Sequence, residues 1–192
     1  PSLSVGNVCQ RITSSSDGTK IAISTYFAYG QNCIYVSTNS GVTWSTSSIP
    51  TLASGNYWRM AGGQAVNQEI VAIGINTTSY AYSINGGVTW TGSTLPNSSN
   101  WDIVYGNNKY VVVGQNGIYY STYANGPWTT VSGVPNGFYG IAYGNGIFVA
   151  VGQNMSAISS DGVNWKYYTS PVAGTNANGH LIAFANGIFA TL

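Results

Sequence analysis

Charge is what this chain has least of. Asp, Glu, Lys and Arg make up 5% of its 192 residues, where an ordinary soluble domain carries about 25%. The five basic residues, Arg11, Lys20, Arg59, Lys109 and Lys166, are scattered. They cannot neutralise a run of phosphates, so nucleic acid is not expected as a partner. Histidine occurs once, at His180, which leaves no His-based metal site or triad. No cofactor and no metal ion are expected. Cys9 and Cys33 are the only cysteines, too few for a disulfide scaffold. No apolar run approaches the 18 or so residues that span a bilayer, so no membrane insertion is expected. No charged start followed by an apolar stretch marks a signal peptide. A sustained 3.6-residue apolar period is missing too, which argues against an α-solenoid.

What is present is apolar, aromatic and neutral. Hydrophobic residues make up 44% of the chain, with 15 Tyr and 6 Trp among them, so disorder is excluded despite the 25 glycines. The length suffices for one domain with a real core. Solubility rests on Ser, Thr, Asn, Gln and Gly. Such a surface suits an extracellular, virion or cell-surface protein that meets neutral carbohydrate or copies of itself. Sequons at Asn76, Asn97 and Asn154 permit glycosylation in a eukaryotic secretory pathway, and they also arise by chance in so Asn- and Ser-rich a chain.

The chain repeats. Trp44, Trp90, Trp128 and Trp165 recur at intervals of 46, 38 and 37 residues, each followed six or seven residues later by Pro50, Pro96, Pro135 or Pro171. Gly-Gln-Asn appears at 30–32, 114–116 and 152–154. Within the unit 138–169, Tyr139–Tyr143 is β-prone and Gly144-Asn145-Gly146 supplies a hairpin turn. Ile147–Val151 is an unbroken apolar run, expected of a strand covered on both faces. Gly152-Gln153-Asn154 turns the chain into a third strand, and Asp161-Gly162 turns it into an outer strand that begins at Trp165 and is ended by proline. Four strands in under 40 residues leave no room for helices, and one such sheet cannot bury both faces alone. Copies must therefore stack around an axis. The expectation is an all-β propeller of about five blades forming a single domain over 1–192, with repeats at about 9–47, 57–92, 101–131, 138–169 and a partial one at 180–192. Cys9 and Cys33 then fall on strands two places apart, about 9–10 Å from each other. That exceeds the roughly 7 Å limit for a disulfide, so they read as buried thiols or bond elsewhere.

The turns before the tryptophans resemble the Asp-box, or BNR repeat, of sialidase-type propellers, Ser/Thr-x-Asp-x-Gly-x-x-Trp. Asn39, Gly41 and Trp44 match with Asn for Asp, as do Asn85, Gly87 and Trp90. Asp161, Gly162 and Trp165 form a box one residue short, and Gly126 and Trp128 belong to a degenerate one. The resemblance implies a structural turn: the Asx side chain binds nearby N–H groups, Gly takes a positive φ and Trp packs beneath. Each box Trp is expected to be mostly buried. Sialidases of this architecture hold a substrate carboxylate with three arginines and use a Tyr–Glu pair plus an Asp acid. Arg11 and Arg59 are the only arginines, so the sialidase set is absent.

Glycoside hydrolysis otherwise needs two facing carboxyl groups. The inventory is Asp17, Glu69, Asp102 and Asp161. Asp17 and Asp161 read as turn residues, whereas Glu69 and Asp102 fall on or beside strands of adjacent blades. No catalytic residues are assigned. The loops from each outer strand to the next inner strand share one face and lead into Trp58, Trp101, Tyr139 and His180. With Asn56, Asn100, Asn136 and Asn178 beside those rings, they offer the hydrogen bonds and apolar faces that neutral sugars need. The same Asn, Ser and Gly are also ordinary turn formers, and the rings also close blade ends. The leading expectation is a non-catalytic, lectin-like or adhesive binding module. The alternative is a self-assembling protein of a fibre, tail or extracellular filament, in which Ser2–Val5 pairs with the open fifth blade. An Asp-box glycosidase ranks third.

Overall fold

A computed structural model describes residues 7–15, 17–27, 33–47, 58–62, 68–169 and 181–191. These residues form strands and turns without a helix, in two compact units, Pro1–Leu95 and Pro96–Leu192. In the first unit, β1 (Asn7–Ser14), β2 (Ile21–Phe27), β3 (Cys33–Ser37) and β4 (Ser45–Ser47) make one antiparallel sheet in sequence order. β5 (Trp58–Gly62), β6 (Ile70–Gly74), β7 (Ser79–Ser83) and β8 (Thr91–Thr94) make the next. In the second unit, β9 (Asn100–Gly106), β10 (Lys109–Gly114), β11 (Gly117–Ser121) and β12 (Thr129–Thr130) form a third sheet. β13 (Phe138–Gly144), β14 (Ile147–Gly152), β15 (Met155–Ser159) and β16 (Lys166–Thr169) form a fourth. β17 (Ile182–Ala185) and β18 (Ile188–Thr191) pair as a two-stranded sheet. Each four-stranded sheet is a meander, the form expected of a propeller blade.

Within each unit the cores lie between successive sheets. Ala22, Ile34 and Val36 meet Met60, Ile70, Ala72, Ala81 and Trp90. Val111, Val113 and Ile118 meet Phe138, Ile141, Phe148, Ala150 and Ala157. The valine run of β10 is buried throughout, as an interior blade strand requires. In the second unit the inner strands are spaced by rings on glycines. An added Cβ at Gly106 would lie 2.2 Å from the Tyr143 ring, and one at Gly144 2.2 Å from that of Phe184.

Four expectations need correction. The apolar run 147–151 alternates instead of being wholly buried: Phe148 and Ala150 face the third sheet, while Ile147, Val149 and Val151 stay half-exposed. Only β17 and β18 follow this sheet among the described residues, too little strand to cover its far face. Of the box tryptophans only Trp90 is buried, at 8% exposure. Trp44, Trp128 and Trp165 are half-buried. Proline does not end every outer strand, since β12 stops at Thr130, five residues before Pro135. Cys9 is an exposed free thiol rather than a buried one. Its register partner Thr25 also pairs with Cys33, so the two cysteines sit on strands two places apart. Pro50, Pro171, the strand Ser2–Val5 and residue 180 lie outside the described residues.

Candidate functional site

The box turns show what the recurring residues do. In the first, the Gly41 N–H donates to Ser37 Oγ at 2.8 Å and the Thr43 N–H to Asn39 Oδ1 at 2.8 Å. The Trp44 indole donates to the Gly41 carbonyl at 2.9 Å. The second repeats this with Ser83, Asn85, Gly87, Thr89 and Trp90 at 2.8–2.9 Å. Gly41 and Gly87 take φ of 87° and 89°, which side chains resist. The fourth turn is shorter by one residue and uses a carboxylate. Asp161 Oδ1 accepts from the Val163 and Asn164 N–H groups, both at 2.8 Å. The side chains are matched to this change. Asn39 and Asn85 donate their amides to the hydroxyls of Thr43 and Thr89, whereas Asp161, which can only accept, receives the Asn164 amide at 2.7 Å. The third turn departs. Tyr123 stands where the others have Asx, and Ser121 Oγ donates to its carbonyl, so Gly126 and Trp128 belong to a different loop.

At the opposite end of the second unit, the loops are joined by backbone bonds in series. Gln115 N–H donates to Ser99 C=O at 3.0 Å, Gly137 N–H to Gln115 C=O at 3.1 Å, and Gln153 N–H to Gly137 C=O at 3.3 Å. This explains the recurring Gly-Gln-Asn at 114–116 and 152–154. Each Gly lets an incoming loop carbonyl approach to where a Cβ would stand, at 2.5 Å for Gly114 and 2.1 Å for Gly152. Each following Gln then donates its N–H to that same carbonyl.

On this loop end Trp101 and Tyr139 meet edge to face, with ring centroids 5.6 Å apart and planes at 61°. The Tyr139 hydroxyl donates to Gln115 Oε1 at 3.4 Å, and the Asn116 amide donates to Ser98 C=O at 3.2 Å. Asn136 is exposed beside them. Asn100 is not available to a ligand, because it is fully buried and its amide donates to Asn97 C=O at 3.0 Å. Trp58 begins β5, but its side chain lies outside the described residues, as do Asn56, Asn178 and His180. Gln115 and Asn116 were overlooked as site residues, although their recurrence in the sequence marks the turn that carries them.

Asp17, Asp102 and Asp161 accept backbone N–H groups. Asp17 accepts from Ser15 Oγ, Thr19 N–H and Thr19 Oγ. These bonds, that of Ser15 foremost, bring its pKa down to about 2. The Asn164 N–H, with further donors around it, holds the Asp161 carboxyl well below the usual range. Asp102 Oδ2 accepts the Ile141 N–H at 3.2 Å, tying β9 to β13. Among the described residues no group of three or more His, Cys, Asp or Glu could hold a metal ion, and no helix is long and apolar enough to cross a membrane.

Neither a family model nor a curated protein matches the chain. Solved structures do. YCF48 bound to D1 peptide superposes with a TM-score of 0.62 at 15% identity, over 94% of this chain and 57% of that one. The nidogen/laminin complex superposes with 0.67 at 10% identity, over 97% and 72%. A GH74 enzyme of Niastella koreensis superposes with 0.59 at 17% identity, over 81% and 23%. The chain thus spans little more than half of the YCF48 structure and under a quarter of the GH74 enzyme. With its four-stranded antiparallel meanders, this likeness establishes the fold: the chain is an all-β protein of the β-propeller class.

Proposed function

We propose that this chain is a non-catalytic binding propeller of the Asp-box kind, which works outside the cell or on a cell or virion surface and takes neutral glycan on its loop end. The observation that carries the reading is the Trp101–Tyr139 ring pair beside Gln115, Asn116 and Asn136. Rings present apolar faces to a sugar's C–H groups, and amides hydrogen-bond its hydroxyls. Asp102, the carboxylate next to Trp101 in the chain, accepts a backbone N–H, so the patch suits a neutral ligand. The carboxylates Asp17, Asp102 and Asp161 act as acceptors for neighbouring N–H groups, which supports binding over hydrolysis. Immobilised neutral glycans and peptides should be screened together, because the YCF48 structure holds a peptide. Glycan retention that weakens about tenfold in Tyr139→Ala fits the reading, and retention of peptides alone refutes it. Turnover of a neutral glycoside that disappears in Glu69→Gln or Asp102→Asn would restore the glycosidase.

Self-assembly is the second reading, favoured by the edge at β18. No strand other than β17 pairs with β18 among the described residues, and Ile188 on it is 66% exposed. Such an edge is a template for another chain. Deleting residues 1–7 should dissolve an assembly built on that edge while leaving the blades folded. A parent that stays monomeric at high concentration removes this reading.

A further inference from the structure

Each unit packs two four-stranded blades against one another, and these two interfaces differ at their outer rims. In the first unit Ser47 Oγ donates to Val88 C=O at 3.2 Å, fastening the outer strand β4 to the next box turn. Trp90 lies buried beneath that turn. In the second unit β12 is two residues long, and Val131 holds the register position of Ser47. Valine has no hydroxyl, so it cannot make the same bond to Val163, the counterpart of Val88. Tyr120 replaces Val36 on the strand inside. The rim stays open there as a groove of about 310 Å³.

The walls of that groove have a definite chemistry. Tyr120, Trp165 and Tyr167 contribute rings, and Thr129, Thr130 and Ser132 contribute hydroxyls. No acid or base lines it. The Trp165 indole N–H is already given to Gly162 C=O at 3.2 Å, and its ring leans on the buried Phe148, centroids 6.3 Å apart. Tyr167 leans on Phe138 at 6.5 Å and is 37% exposed. Burial pushes the Tyr167 phenol up, so it stays neutral. Rings held in place by packing lose little freedom when a ligand stacks on them. The volume falls at the small end of ligand clefts, about 300–1,000 Å³.

We infer that this rim groove between β11–β12 and the 163–167 turn is a second binding site, for one or two units of a neutral sugar. It rests on the neutral-glycan reading above but on different residues. Trp101 and Tyr139 stand on the inner strands and the groove between the outer ones, three strand spacings or about 14 Å away.

The indole N–H signals of the uniformly ¹⁵N-labelled full chain test this, with Trp165→Phe and Trp101→Phe identifying the two that matter. Galactose, mannose and N-acetylglucosamine are titrated to high millimolar concentration. The Trp165 signal should move saturably with at least one of them. Tyr167→Ala should weaken that response about fivefold to tenfold. Ser132→Trp, which fills the groove without removing packing, should abolish it and leave the Trp101 response intact. Movement of Trp101 alone overturns the groove and keeps the loop-end site. Movement of Trp165 by an uncharged tripeptide but by no sugar also overturns it. If no indole moves with any sugar, the neutral-glycan reading falls and the groove with it.

Discussion

The first unit fastens its two blades together and the second leaves its pair ajar, although both are built on the same four-stranded pattern. Ser47, Val88 and Trp90 close one rim through a hydroxyl, a carbonyl and a buried indole. Val131, Val163 and Trp165 occupy the matching positions in the other and leave a groove. A missing hydroxyl, a shorter outer strand and Tyr120 in place of Val36 separate a structural seam from a candidate binding surface. In a repeat protein the places where copies diverge therefore carry more functional information than the places where they agree.

The largest expected effect tests whether burial rather than motif membership sets a tryptophan's role. Trp90→Ala removes a ring that is 8% exposed and part of the first core, and it should cost about 3–5 kcal/mol. Trp165→Ala removes a half-buried ring and should cost about half as much, in proportion to the apolar area removed from water. Chemical denaturation of both variants measures the difference. Equal costs would mean that the rim of the second unit is as closed as that of the first.

Much of this was legible in the sequence. The hairpin turns at Gly144-Asn145-Gly146 and the box turns at Asn39, Asn85 and Asp161 are local devices, set by residues a few positions apart, and the strands between them followed. The alternating burial of β14 was not legible, because it depends on how much strand covers its far face. Nor was the burial of Asn100, since the same Asn serves equally as a ligand contact or as a lock on its own loop. Trp101 and Tyr139 were reachable from their place in the repeat. The rim groove was not, since it needs the pairing of Tyr120 with Thr129 and the comparison of Val131 with Ser47 across different sheets.

The close approach of loops offers a second contrast. Gly152→Ala would put a Cβ 2.1 Å from the Gly137 carbonyl, a backbone atom that the loop-end series holds in place. The substitution should cost about 1–3 kcal/mol, as overpacking does. In the first unit, Gly74→Ala would meet the Thr77 methyl at 2.4 Å. A side chain yields more readily than a carbonyl, so the cost should be smaller. Thermal unfolding of the two variants ranks them, and a larger loss at Gly74 would break the comparison.

The rims themselves can be exchanged. Ser47→Ala removes the bond to Val88 and should cost about 1 kcal/mol. Val131→Thr offers the second unit the hydroxyl it lacks with little change in volume. It should narrow the groove and weaken sugar binding at Trp165 without affecting Trp101. A Val131→Thr chain that binds as the parent does would show that β12's shortness, not the missing hydroxyl, holds the groove open.

The smallest effect concerns acid. The box turns of the first unit are built on neutral Asn39 and Asn85, and the last turn of the second on Asp161. The N–H groups around Asp161, that of Asn164 first, lower its pKa below the ordinary 3.8. A carboxyl whose pKa is lowered by folding binds fewer protons folded than unfolded. It therefore adds stability that is full above about 3.8 and lost as pH falls through the lower folded value. Acidification should shift the Val163 and Asn164 amide signals in that window while those of Thr43 and Thr89 stay still. Asp161→Asn should abolish the shift, because the amide oxygen can still accept but no longer titrates. Asp17, with its pKa near 2, sits in a hairpin of the first unit outside its box turns, so its titration is read separately at Thr19. Movement of Thr43 or Thr89 together with Val163 would mean that acid loosens the blades as wholes, and the contrast between neutral and charged turns would lose its meaning.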